Sequence, residues 1–362
     1  MNTRDDSAHM RRALDLARRG WGQVAPNPMV GAVLVRDGQV VAEGFHARYG
    51  EAHAEAAALA VAGDAARGAT LYATLEPCTH QGRTPPCADA IVAAGVRRVV
   101  IAVRDPNPVA AGGVARLRAA GIAVDVGEGE ADARELNAAF FHRFAHPERP
   151  FVTLKLATSA DGAIAGADRA VRARLTGEAA DRDVHHLRAG VDAIAVGIGT
   201  VLADDPRLTV RLVEAPRVAP TRVVFDSALR LPPDSLLART AREVPVLLVA
   251  GEPDVERARR LERLGVTILS ARTLPDALRA LARAGFTSLL VEGGARLAGS
   301  FLTGALVDRL VIFRAPVVLG AGALDAFAHI PRGDAERLRQ LPVLERRVLG
   351  DDIVTTYSLG AT

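Results

Sequence analysis

Met10, Ala13, Leu14 and Ala17 recur at helical spacing near the start of the chain, so the first expected element is an amphipathic helix. Behind it the apolar runs 30–35 and 40–41 flank Asp37-Gly38, a pair that reads as a tight hairpin turn. The pattern then alternates: an Ala-rich helix over 53–61, a strand over 70–75, a helix over 87–94 stopped by Gly95, and a strand over 99–103. A helix ending near Gly121, a strand over 122–126 and a helix around 136–144 complete a layered α/β domain. Two prolines in His146-Pro147-Glu148-Arg149-Pro150 break that last helix, and a new apolar alternation follows directly. The expected organisation is a first domain over 1–146, a linker over 147–150 and a second domain over 151–362. Strands are expected there at 151–156, 193–196, 222–225, 246–249, 266–269, 288–291 and 310–313, again interleaved with helices, which makes a second α/β domain.

Composition agrees with two cores and excludes several function classes. The 362 residues, 49% hydrophobic and 24% charged, are ample for two domains. The net charge is only +3, the basic residues are scattered and aromatics make up 4%, so no basic stripe interleaved with stacking residues marks a nucleic-acid surface. Phosphorylated small molecules are the expected anions. No run approaches the roughly 20 apolar residues of a membrane helix, and Met1 to Ser7 lacks the apolar stretch of a signal peptide, so a cytoplasmic enzyme is expected. Self-association is left open.

The chemistry concentrates in His53-Ala54-Glu55, Pro77-Cys78 and Pro86-Cys87; Cys78 and Cys87 are the only cysteines. A catalytic zinc takes three protein ligands of these types and keeps a fourth position for water, whose pKa it lowers to roughly 7. His53, Cys78 and Cys87 are the expected ligands, and Glu55, two residues from His53 on one helix start, is the expected proton shuttle. Helix N-termini at the ligands would favour thiolates. Taken singly, a core histidine and two inert buried thiols are the plainer reading; the joint pattern is hard to obtain from packing. His80 is available as a fourth ligand, which would close the site into a structural one. Two cysteines at a metal leave none for a disulfide, in keeping with a reducing compartment.

The set resembles the His-x-Glu and Pro-Cys signature of zinc base deaminases, in which the glutamate is acid/base and not ligand, except that eight residues separate the cysteines. That insert, with Ala25-Pro26-Asn27-Pro28-Met29-Val30-Gly31 and Asp105-Pro106-Asn107-Pro108, closely resembles the bifunctional deaminase/reductase family of riboflavin biosynthesis. The second half is similar to the reductase domain of that family through Ser159-Ala160-Asp161-Gly162, His186-Leu187-Arg188-Ala189, the run 199–211, Asp226-Ser227 and Glu292-Gly293-Gly294. The resemblance implies a cytidine-deaminase-like α/β/α layered domain followed by a dihydrofolate-reductase-like α/β domain. It implies zinc and NADPH as cofactors, and a diaminopyrimidinone ribosylamine 5′-phosphate that is first deaminated and then reduced at the ribosyl C1′.

Site residues follow by the same implication. Asn27, His80 and Arg83 would meet the deaminase substrate. Ala157, Thr200, Asp204, Ser227 and the turn Gly294, Ala295, Arg296, Leu297, Ala298, Gly299 and Ser300 would contact NADPH, while Arg188, Leu208, Arg211 and Glu292 would contact the reductase substrate. Arginine forks suit the ribose phosphate; solvated surface charge is their plainer reading. Lys155 is the one lysine among 45 basic residues, which marks it as a position where a deprotonatable ammonium is required, and the family places it in the reductase site. One stretch departs: where the family shows Ser-x-Trp-Ile-Thr, this chain has Arg172-Ala173-Arg174-Leu175-Thr176, with Arg172 free to grip phosphate and Arg174 to stack on the cofactor. Two rivals remain on sequence grounds, a nucleoside or tRNA base deaminase with a non-catalytic nucleotide-binding domain, and a zinc-stapled binding module.

Overall fold

In the computed structural model, which describes residues 3–82, 85–168, 175–252, 254–338 and 340–359, helix α1 (Thr3–Arg18) buries Met10, Ala13, Leu14 and Ala17 along one face. Strands β1 (Gly31–Arg36) and β2 (Gln39–Phe45) follow as an antiparallel hairpin. Asp37 and Gly38 between them both take left-handed backbone, φ 51° and 78°, the geometry that lets a two-residue turn follow the strand twist. Then come α2 (Ala54–Ala62), β3 (Thr70–Ala73), α3 (Cys87–Ala93), β4 (Arg98–Ile101), α4 (Gly113–Ala119), β5 (Ala123–Val126), α5 (Glu130–Leu136) and α6 (Ala138–Ala145). The sheet order is β2-β1-β3-β4-β5, with β1 antiparallel to both neighbours and β3, β4 and β5 parallel.

Two glycines seat helices on this sheet. A Cβ at Gly31 would lie 1.9 Å from the Ala13 carbonyl oxygen on α1, and one at Gly44 would lie 2.4 Å from the Ala54 oxygen and 2.5 Å from the Ala58 nitrogen on α2. Gly31 pairs with Phe45 and Gly44 with Ala32, so the two glycines point to opposite faces and α1 and α2 form opposite layers.

Two expectations need correction. The single helix around 136–144 is two, broken at Asn137 (φ −110°, ψ 29°), because its buried carboxamide pairs with the backbone of Met29, accepting from the nitrogen at 2.8 Å and donating to the oxygen at 2.9 Å. Cys78 does not open a helix; it lies in the loop after β3.

The chain divides into two compact units, Met1–Ala145 and His146–Thr362. In the second, β6 (Phe151–Thr158), β7 (Ala163–Ala165), α7 (Glu178–Ala189), β8 (Ala193–Gly197), α8 (Ile198–Asp204), β9 (Thr221–Phe225), α9 (Leu236–Arg239), β10 (Val246–Ala250), α10 (Val255–Arg263) and β11 (Thr267–Ser270) come first. They are followed by α11 (Leu274–Arg283), β12 (Ser288–Glu292), α12 (Ala295–Thr303), β13 (Arg309–Arg314), β14 (Leu324–Asp325), α13 (Arg332–Leu338), β15 (Val343–Leu349) and β16 (Asp352–Ser358). Nine strands form one sheet in the order β11-β10-β9-β8-β12-β6-β13-β16-β15, parallel from β11 to β13. Inner strands such as β10 are buried throughout, which is why they read as unbroken apolar runs. Steps from β8 outward to β11 and back to β12, between β8 and β6, reverse the strand order. Such a reversal opens a crevice at the carboxyl ends of the strands. Among the described residues no helix is long and apolar enough to cross a membrane.

Because α2 carries His53 at its start, its seat on β2 should control the metal ligands. Gly44→Ala is expected to lower unfolding stability by about 1–3 kcal/mol and to reduce metal bound per chain, read by urea unfolding and metal analysis. A variant with the parent midpoint and metal content would show that this close approach is dispensable.

Candidate active sites

His53 is the N-cap of α2, in extended conformation (φ −71°, ψ 160°), yet its side chain makes no capping bond. The ring instead meets two sulfurs: its Nδ1 lies 3.5 Å from Cys78 Sγ and 3.4 Å from Cys87 Sγ. All three ligand atoms fall within 4.8 Å of one another, and among the described residues no other group of three or more histidine, cysteine or acidic side chains is gathered in this way. A tetrahedral zinc with bonds of about 2.0 Å to nitrogen and about 2.3 Å to sulfur has an N–S edge of about 3.5 Å, so the donor set and its spacing fit zinc. His80 stands outside the group, and a site closed by four protein ligands is not assembled.

The loop carrying Cys78 is fixed from three sides. Buried Glu76 accepts backbone N–H bonds from Gly112 (3.2 Å), Val114 (2.9 Å) and Asp105 (3.2 Å). A Cβ at Gly113 would lie 2.0 Å from the Pro77 oxygen, so α4 begins directly against the loop. Cys87, the first residue of α3, donates its N–H to Cys78 Sγ at 3.4 Å. Electrostatics follow from this crowding. The Cys78 thiol is drawn down, first by the Cys87 side chain and also by His53 and the Cys87 N–H. Burial lifts the Glu55 carboxyl to about 7.

A cavity of about 140 Å³ opens beside the cluster, lined by His53, Glu55 and Cys78 and by Asn27, His46, Glu76, His80, Asp105, Asn107, Phe140 and Arg143 among others. His46 Nδ1 donates to the Ala52 oxygen at 3.0 Å, so its Nε2 accepts from Asn27 Nδ2 at 3.2 Å, and burial keeps this imidazole neutral by pulling its pKa down. His80 Nδ1 is buried without a protein partner. Asn27 and His80 therefore converge on the cavity with Glu55, whereas Arg83, Arg172 and Arg174 lie outside the described residues. Sequence reading missed Glu76, His46, Asn137, Phe140 and Arg143. Glu76 had a weak signal in its position just before Pro77-Cys78; the others act through contacts that no local spacing encodes.

In the second unit, Lys155 on β6 and Glu292 at the end of β12 are register partners. Glu292 accepts two bonds from Arg188, Nε to Oε1 at 2.6 Å and Nη2 to Oε2 at 2.8 Å. Burial works to raise the Glu292 carboxyl, but Arg188 and then Lys155 outweigh it and hold the carboxyl below its ordinary value. Burial pushes the Lys155 ammonium down; its Nζ sits 5.4 Å from the Phe313 ring centre. Arg188 also donates to the Thr209 oxygen at 3.2 Å, and Arg211 to Thr209 Oγ1 at 2.7 Å. Lys155, Arg188, Arg211 and Glu292 are thus brought together.

The cofactor candidates divide. Ala157 lies two residues beyond Lys155 on β6, Thr200 and Asp204 lie on α8, and Ser227 is exposed just after β9. Gly294 caps α12, and a Cβ there would lie 3.9 Å from Thr200 Oγ1, so the first turn of α12, with Ala295, Arg296 and Leu297, faces the crevice end of the sheet, where unpaired N–H groups suit a phosphate. Ala298 and Gly299 do not reach it. Ala298 is wholly buried in the core, and a Cβ at Gly299 would lie 2.9 Å from His329 Cβ. Ser300 turns its hydroxyl onto the Arg296 oxygen at 3.0 Å. The Leu208 side chain is also core, packed with Val201, Leu229 and Leu231, which leaves only its backbone for a ligand.

Residues 3–103 match the cytidine and deoxycytidylate deaminase zinc-binding region, and residues 150–345 match the RibD C-terminal domain. The riboflavin biosynthesis protein RibD of Aquifex aeolicus is 43% identical over 357 residues, covering 97% of this chain and 98% of its own. That of Escherichia coli is 40% identical over 362 residues, covering 94% and 92%. Among solved structures, Acinetobacter baumannii RibD superposes with a TM-score of 0.85 at 38% identity over 99% of both chains. The diaminohydroxyphosphoribosylaminopyrimidine deaminase/5-amino-6-(5-phosphoribosylamino)uracil reductase of Thermotoga maritima gives 0.84 at 34% identity, over 98% of this chain and 99% of its own.

Glu76 satisfies three backbone donors at once, so Glu76→Ala is expected to weaken zinc binding by roughly 10- to 100-fold, the usual scale for groups that support metal ligands. Competition with a chromophoric chelator reads this directly. Unchanged zinc affinity would mean the loop holds its shape without the carboxylate.

Proposed function

We propose a division of labour among the residues of this chain, which belongs to the RibD family of riboflavin biosynthesis proteins and is a zinc-dependent deaminase and an NADPH-dependent reductase. The first unit acts on the diaminopyrimidinone ribosylamine 5′-phosphate named for the Thermotoga relative, and the second on the deaminated product. His53, Cys78 and Cys87 hold the zinc. When bound, zinc makes water acidic enough, with a pKa of about 7, to supply the nucleophile for the amino-bearing ring carbon. Glu55 carries the first proton of that water to the ring nitrogen, then carries the second, from the hydroxyl left on the ring carbon, to the amine that departs as ammonia. Burial raises its carboxyl above the ordinary carboxylate range, which suits a group that must give protons as well as take them.

Asn27 has its amide nitrogen engaged by His46, which leaves its carbonyl oxygen to accept from a ring N–H. His80 brings an unpartnered buried nitrogen to the same cavity, and Arg83 is assigned to the same substrate. The observation that carries the assignment is the tetrahedral-edge spacing of three ligand atoms with Glu55 in the cavity beside them.

For the second reaction NADPH supplies the hydride that converts the ribosyl group to ribityl. Lys155 supplies a proton to the opening sugar, helped by a pKa that burial lowers. Glu292 orients Arg188, and Arg188 with Arg211, the Leu208 backbone and Arg172 bind the substrate and its phosphate. Ala157, Arg174, Thr200, Asp204, Ser227 and the first turn of α12 from Gly294 to Leu297 are assigned to the cofactor, while Ala298, Gly299 and Ser300 support that turn from within the helix. The rival reading of the second half as a non-catalytic appendage gives way to the RibD C-terminal domain match, which spans 150–345. Free Cys78 and Cys87 favour a reducing, cytoplasmic setting.

Glu55→Gln should retain zinc and lose deamination by roughly 10²- to 10⁴-fold, the range for a positioned acid/base, while NADPH oxidation on supplied deaminated substrate stays at the parent rate. Ammonia release and zinc analysis decide it. Parent-like ammonia release would remove Glu55 from the proton path.

A further inference from the structure

Beside the substrate arginines of the second unit lies a histidine that the reaction does not use. His185, on α7, is buried at 5% exposure, and its Nδ1 accepts the backbone N–H of Arg211 at 3.2 Å. The accepting nitrogen must be unprotonated, so the ring is neutral with its proton on Nε2. The segment it holds is an awkward one. Leu208 sits at φ 49°, a left-handed conformation that is strained for a residue with a side chain and persists only where the surroundings impose it. Three contacts impose it here: Arg222 donates to the Arg207 oxygen at 3.4 Å, Arg188 to the Thr209 oxygen at 3.2 Å, and Arg211 N to His185. Among the described residues only the last fixes Arg211 itself at the backbone, and its guanidinium is tied to Thr209.

We propose that His185 is a positioning residue of the reductase: as a neutral acceptor it pins the backbone of Arg211 and so aims that guanidinium at the phosphate of the substrate. The inference rests on the assignment of Arg211 to the substrate phosphate made above. The groups facing His185 are Arg188 and Asp181 from its own helix, Arg211 from the segment it holds and Glu292 from β12. Burial first, then Arg188 and Arg211, push the imidazole pKa down, so the accepting form holds at neutral pH. Acid converts Nδ1 to a donor and sets a third cation beside two guanidinium groups, and the tie to Arg211 is lost.

The test uses the full chain with NADPH and the deaminated ribosyl 5′-phosphate, alongside the same compound without its phosphate. His185→Leu should raise KM for the phosphorylated substrate about tenfold, the worth of one hydrogen bond near a charge, with kcat held and no change for the dephosphorylated compound. His185→Gln, which can present a carbonyl oxygen to the same N–H, should restore the parent KM. In the parent, KM should climb as pH falls below the ordinary imidazole range, and in His185→Gln this climb should shrink to that of the substrate phosphate alone. A parent-like KM in His185→Leu, a Gln variant as impaired as Leu, an equal effect on both compounds, or identical pH profiles would each overturn the inference. Arg211→Ala separates the two layers. If it fails to discriminate the compounds, the phosphate assignment falls and the inference with it; if it discriminates while His185→Leu behaves as parent, only the role of His185 falls.

Discussion

Three ligand atoms from three separate segments must converge to within a few ångströms, and most of the first unit is arranged to make them do so. His53 comes from the start of α2, Cys78 from the loop after β3 and Cys87 from the start of α3. None of these placements is local. The height of α2 above the sheet is set by the missing side chain of Gly44, the Cys78 loop by Glu76 and by Gly113 at the foot of α4, and Cys87 by its N–H bond to the Cys78 sulfur. Two buried thiols beside an imidazole would repel as they ionise, and a divalent cation resolves that conflict, so the same packing that stores the charge also selects what can neutralise it.

The second unit meets a different constraint. On the proposed assignment its substrate and cofactor both carry phosphate, and the carboxyl ends of β6 and β12 bring to them the N-terminus of α12 and the paired Arg188 and Glu292. Glu292 prevents those arginines from simply repelling each other and Lys155: a buried carboxylate held ionised by Arg188 fixes the fork that a phosphate would meet. The lone lysine of the chain lies in register with it, which gives the compositional oddity a structural counterpart.

Much of this was legible in the sequence because it is written in periodicity and in rare residues. All seven strands expected in the second half are present within a residue or two, since inner parallel strands covered on both faces, such as β8, β10 and β12, are largely apolar. The His53, Cys78, Cys87 and Glu55 set was legible because two cysteines in 362 residues leave little room for coincidence. What escaped depended on contacts between distant segments. Asn137 looks like an ordinary polar position on a helix until Met29, 108 residues earlier, is found against it, and it cuts the expected helix in two. Ala298, Gly299 and Leu208 were expected at ligands through motif alone, but their faces are decided by packing against His329 and the core. The terminal strands β15 and β16 went unread because β15, an exposed edge rich in Glu and Arg, lacks an apolar run.

The central claim is that the first reaction needs the cation gathered by His53, Cys78 and Cys87 and the second does not. Stripping the metal with a chelator and following ammonia release and NADPH oxidation separately, the latter on supplied deaminated substrate, tests it most directly. The account predicts that ammonia release vanishes and returns with stoichiometric zinc while NADPH oxidation continues. Metal-free protein that still releases ammonia at the full rate would contradict it.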